Sequence, residues 1–67
     1  MKNKIEEKRK ALGLTQFQLA QQLGVSRQTI ISLENGRYNP SLTLAYELSR
    51  VFQTTIEDIF IFEEDAQ

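Results

Sequence analysis

The chain has 67 residues, 40% of them hydrophobic, with no cysteine and no histidine, so it has no disulfide, no thiolate metal ligand and no imidazole to act as general base or ligand. There is room for one domain, 1–67, and a domain of that size buries only roughly 60% of the surface its unfolded chain exposes, which favours tight helix packing or self-association. The formal net charge of -1 conceals a division: residues 1–50 hold all eight Lys and Arg against four acids, a balance of +4, whereas residues 51–67 hold five acids and no base, a balance of -5, an asymmetry that itself points toward nucleic acid.

In chain order, Asn3 is placed to cap a first helix, with Glu6 completing a capping box, Ile5 and Leu12 forming the apolar stripe and Gly13 ending it. Thr15 opens a second helix with Gln18 as its capping partner; Leu19, Ala20 and Leu23 face inward and Gly24 stops it. After a very short link, Ser26 caps a third helix that carries Ile30 and Leu33 inward and ends at Asn35-Gly36. Asn39-Pro40-Ser41 reads as a turn and a cap, and the fourth helix is expected to bury Leu42, Ala45, Leu48 and Phe52. Thr55 with Asp58 opens a last short helix. Phe60-Ile61-Phe62 is too short for another and suits an extended segment pairing with Met1 to Asn3 as a two-stranded ribbon. The expected fold class is all-α, with five helices.

No apolar run approaches the roughly 18 residues that span a bilayer, and the lysine-bearing start leads directly into an amphipathic helix rather than a signal-peptide core. A cytoplasmic location is expected, with no membrane, cofactor, metal or small-molecule partner. No nucleophile stands with a base at recognisable spacing, and enzyme activity is not expected.

Two helices joined by a tight glycine-bearing turn have the shape of a helix-turn-helix, here spanning about residues 15–35, whose second helix enters the major groove of double-stranded DNA. At about 100° per residue, Ile30, Leu33 and Glu34 share the inward face of helix three, while Gln28, Ser32 and Asn35 point outward, flanked by Arg27 and Ile31. Arginine bonds bidentately to guanine and glutamine to adenine, each pair worth roughly 1–3 kcal/mol of discrimination. Arg27, Gln28, Thr29 and Ser32 are therefore the candidate base readers, and Ile31 can touch a thymine methyl. Arg9 lies on the stripe of Ile5, and Glu34 lies with Ile30 and Leu33; both charges point at the core and are expected to pair there.

The run Thr15-Gln16-x-x-Leu19-Ala20-x-x-Leu23-Gly24-Val25-Ser26-Arg27-Gln28-Thr29-Ile30, continued by Leu33-Glu34-Asn35-Gly36-Arg37-Tyr38-Asn39-Pro40-Ser41-Leu42 and Ile56-Glu57-Asp58-Ile59-Phe60, closely resembles the Cro/C1-type, or Xre, helix-turn-helix regulators of bacteria and phages. Nearly the whole chain is covered, and the likeness is greatest to short members that end soon after the fifth helix. The resemblance implies a lambda repressor-like domain, with a small antiparallel ribbon between the chain ends. It implies an internal salt bridge at Arg9 and Glu34, a phosphate-binding Gln16, and a phosphate-contacting loop of Asn35, Arg37, Tyr38 and Asn39. Thr15 and Ser26 join the phosphate set at the starts of their helices, where backbone amides and partial positive charge add to the site; Ser26 is an N-cap in any case. For Tyr38 the alternative is simple packing over the neighbouring helix.

One recognition helix touches few base pairs, so a homodimer reading an inverted repeat with half-sites about 34–36 Å apart is expected. Leu44 and Val51 on the outer side of helix four, and Ile56 and Ile59 near the last helix, are candidates for its interface. Short regulators of this type pair through the start of helix five and the turn before helix four, which favours Ile56, Ile59 and Asn39; the alternative is that the two isoleucines cover a small core. With no segment to spare for recruiting polymerase, repression is the expected mode. Two other readings are an antitoxin that autoregulates and a protein-interaction module that has lost DNA binding. The acidic Glu63-Glu64-Asp65 end would be repelled by phosphate and is expected to face solvent.

Overall fold

The computed structural model describes residues 1–62, so the acidic end at residues 63–65 lies outside the described residues. Five helices follow in order: α1 (Ile5–Ala11), α2 (Gln16–Leu23), α3 (Arg27–Glu34), α4 (Leu42–Val51) and α5 (Ile56–Ile59). Four of them begin on a hydroxyl cap. Thr15, Ser26, Ser41 and Thr55 accept from the backbone N–H of Gln18, Thr29, Leu44 and Asp58, contacts worth about 1 kcal/mol apiece. At Thr15 the box is complete, because Gln18 Oε1 accepts in return from Thr15 N at 2.8 Å.

The four longer helices close in one way. An N–H two residues past the end of α2, and three past the ends of α1, α3 and α4, reaches back to a carbonyl five residues earlier: Leu14 to Arg9, Val25 to Ala20, Arg37 to Ser32 and Thr54 to Ser49, at 2.9–3.1 Å. The residue before that N–H must turn left-handed. Gly24, at φ 71°, does so between α2 and α3 and sets the short turn; after α4 the position falls to Gln53, at φ 55°.

The first helix starts later than its sequence suggests. Asn3 is held extended in a bridge with Phe60, so Lys4 occupies the N-cap position and makes no side-chain cap. Asn3 Oδ1 still accepts from Ile5 N at 3.0 Å, but Glu6 turns to Lys10 instead, at 2.9 Å, and no capping box forms. The expected ribbon is likewise reduced to that single antiparallel bridge, flanked by Lys4 N–H to Ile59 O (2.7 Å) and Ile61 N–H to Lys2 O (2.9 Å). Phe60 is drawn into the core, 2% exposed.

Ile5, Leu19, Ile30, Leu33, Leu48 and Ile59 are fully enclosed. Two leucines expected inside are not. Leu12 is the last residue before the α1 turn and stays exposed, while Leu14, beyond the turn, packs on the core in its place. Leu42 is 80% exposed. The inward stripe of α4 is centred on Ala45 and Leu48, and at 100° per residue it takes in Leu44 but leaves Leu42 well to one side. Leu44 and Ile59, considered as interface residues, are buried within the single chain, and Val51 is half-buried against the same core.

Candidate nucleic-acid interface

The turn at Gly24 lays α3 across α2, its closest neighbour, with Ile30 and Leu33 as the fastening. The other side of α3 faces outward. Arg27, Gln28 and Asn35 are exposed, and Thr29, Ile31 and Ser32 are half-buried. Ser26, Gln28, Thr29 and Ser32 line a notch of about 230 Å³ whose opposite wall is Arg37 and Tyr38. The Arg37 N–H to Ser32 O bond, 3.0 Å, fastens that wall to the helix. Thr29 is the least free of the group, its hydroxyl lying 3.0 Å from Ser26 Oγ.

The residues expected at phosphate divide among three places. Arg37, Tyr38 and Ser26 share the notch. Asn35 lines a separate hollow of about 420 Å³ with Met1, Lys2, Asn3 and Gly36, which brings the chain start beside the end of α3. Asn3 Nδ2 donates to Leu33 O at 2.7 Å and the Met1 amino nitrogen to Gly36 O at 2.8 Å. In the sequence, Lys2 carries no signal beyond its place in the basic half. Asn39 belongs elsewhere, with Pro40, Leu42, Ile56, Phe60 and Phe62 around an apolar groove of about 290 Å³.

Thr15 and Gln16 stand at the start of α2. Gln16 is half-buried and its side chain turns inward: Nε2 donates to Glu34 Oε1 at 3.1 Å. Glu34 in turn meets Arg9, with Arg9 Nε donating to Oε2 at 2.7 Å, while Arg9 Nη1 donates to Leu14 O at 2.8 Å. The two charged side chains are only 9% and 6% exposed. Deleting either partner would strand a buried charge.

Other cations are committed within the fold. Lys8 pairs with Asp58 at 2.8 Å and Lys10 with Glu6; the Lys8 ammonium, then the Thr54 hydroxyl, hold the Asp58 carboxyl below its ordinary pKa. Arg50 Nη1 donates to the Tyr46 hydroxyl at 2.8 Å, on the outer face of α4. Arg27 and Arg37 are exposed, Arg37 on the wall of the notch and Arg27 at the start of α3.

A helix-turn-helix family profile matches residues 5–59. The chain belongs to the Cro/C1-type helix-turn-helix family. That family is one of DNA-binding transcription regulators. Among similar helix-turn-helix proteins, an uncharacterized HTH-type transcriptional regulator of Methanothermobacter thermautotrophicus is 58% identical over 67 residues, covering 98% of this chain and 97% of that one. Another, from Methanocaldococcus jannaschii, is 55% identical over 65 residues, covering 97% and 98%. The HTH-type transcriptional activator BcrR of Enterococcus faecalis is 38% identical over 61 residues, which is 91% of this chain but 30% of BcrR. In this helix-turn-helix protein no helix among the described residues is long and apolar enough to cross a membrane.

Proposed function

We propose that this regulator binds an inverted-repeat operator as a homodimer, with α3 in the major groove, and represses transcription in the cytoplasm by covering the site polymerase needs. The observation that carries the reading is the notch: a polar, exposed helix face with Gln28 and Ser32, fixed beside Arg37 and Tyr38. Arg27, Gln28 and Ser32 read base edges, with Thr29 in a lesser part; Arg37, Tyr38, Asn35, Gln16 and the starts of α2 and α3, at Thr15 and Ser26, grip phosphate.

The second copy sits on the apolar groove around Leu42, Ile56 and Phe62. Leu42 and Phe62 are 80% and 56% exposed there, Asn39 lies alongside, and large apolar side chains so gathered on a small protein mark an interaction surface. Leu44 and Ile59 take no part. The activator name belongs to BcrR, most of whose length has no counterpart in the match.

Selection of binding sites from random duplex DNA tests the reading. Enriched sites should contain an inverted repeat; sites without one would reject the dimeric arrangement, and no salt-dependent association with any duplex would reject DNA binding itself.

A further inference from the structure

We infer that Glu34 is a positioning residue for the phosphate contact, its buried carboxylate aiming the Gln16 side chain at the DNA backbone; this rests on the DNA-binding reading above. An ion pair serving the fold alone would be complete with Arg9, whose Nε takes Glu34 Oε2 at 2.7 Å. Oε1 is shared differently. Arg9 Nη2 reaches it only at 3.4 Å, and Gln16 Nε2 comes closer, at 3.1 Å.

That third contact has a chemical direction. A carboxylate only accepts, so it selects the NH₂ end of the amide and turns the carbonyl end away. Each side-chain amide nitrogen carries two N–H groups, and Glu34 uses one of them. The other remains for an acceptor outside the chain, at the start of α2, where the backbone N–H groups of Gln16 and Phe17 have no carbonyl one turn back. A free glutamine must be ordered with its nitrogen toward the phosphate when it binds; a pinned one already presents the donor.

Arg9 holds the remainder of the arrangement. Its Nη1 donates to Leu14 O, in the connection that leads into α2, so one guanidinium fixes both Glu34 and the backbone from which Gln16 projects. In the sequence, Gln16 and the Arg9–Glu34 pair stand as separate features. In the structure they are one chain of contacts, running from the core to the edge of the interface.

The test is a double-variant cycle, read by fluorescence anisotropy on a short mixed-sequence duplex, with melting curves confirming that each protein is folded at the temperature used. Gln16→Met should weaken the parent on the order of five-fold, the loss of about one hydrogen bond. Glu34→Asp keeps the charge facing Arg9 but shortens the reach, and in that background Gln16→Met should cost less than about two-fold. An equal factor in both backgrounds, or no effect of Gln16→Met on a parent that binds, overturns the proposal. A parent that does not associate with DNA overturns the reading beneath it instead. If Glu34→Asp fails to fold, the side-chain amide resonances of Gln16 in the parent decide: adding duplex should move the proton directed away from Glu34 and leave its partner in place. Movement of both, or of neither while binding persists, overturns the proposal.

Discussion

Gly36 and Met1 are in backbone contact: the Gly36 carbonyl accepts from the Met1 amino nitrogen at 2.8 Å, and a Cβ added to Gly36 would lie 3.2 Å from the Met1 carbonyl oxygen. The same addition at Gly24 would meet nothing within 4 Å, although the two glycines have similar φ, 76° and 71°. Gly24→Ala should therefore cost only the left-handed strain of an L-residue, about 1–2 kcal/mol. Gly36→Ala should cost that and also displace the Met1–Asn3 segment. Urea melts of the two variants check the order; equal losses would refute it.

Glu34→Gln should destabilise the fold by about 3–5 kcal/mol, because Arg9 would be left as an uncompensated buried charge. Its sequence preference should be unchanged, since Glu34 faces no base. An unaltered melting temperature accompanied by a shift in selected sites would contradict this placement.

Arg27→Ala should relax preference at one base pair per half-site, by roughly 1–3 kcal/mol. Arg37→Ala should weaken all sequences about equally and flatten the dependence of log K on log salt by about 1. Binding measured on selected and scrambled duplexes at several salt concentrations separates the two.

Leu42→Glu should leave the fold intact, because the side chain is 80% exposed in the single chain, and should convert a dimer into a monomer in sedimentation experiments. Leu44→Glu should instead unfold the protein, as Leu44 is 7% exposed. A fully dimeric Leu42→Glu would place the interface elsewhere.

The pH dependence follows from Asp58, whose pKa is lowered first by Lys8 and then by Thr54. A carboxyl depressed in the folded state contributes stability that is fully present above its unfolded pKa, about 3.9, and is lost as pH falls through the folded value. Melting temperature should thus hold at neutral pH and decline below about pH 4. Asp58→Asn should remove part of that decline, while lowering stability above it.

Helix phase and cap chemistry made most of this legible. Thr15, Ser26, Ser41 and Thr55 announce their helices because a hydroxyl cap is a local contact, and Gly24 announces the turn because few other residues accept its backbone. The inward direction of Arg9 and Glu34 follows from their helical phase. The losses came where a distant partner decided. Asn3 reads as an N-cap until Phe60 holds it extended, and nothing local marks Gln53 as left-handed. Leu42 and Leu44 lie two residues apart, and the packing of α4 decides which one is enclosed. In the candidate site, the outward face of α3 could be read from periodicity, whereas the division of the phosphate set among the notch, the hollow at the chain start and the apolar groove needed the third dimension, as did the turn of Gln16 toward Glu34.

Lys8, Arg9 and Lys10 are consecutive, and each is matched to an acid, Asp58, Glu34 and Glu6 in turn. Three of the eight cations are thereby paired within the fold, two of them with acids from other helices, and the composition overstates the positive charge an approaching polyanion would meet. Attraction to a polyanion then falls more on Arg27 and Arg37, at the face of α3, than on α1, so the charge of this protein also orients it.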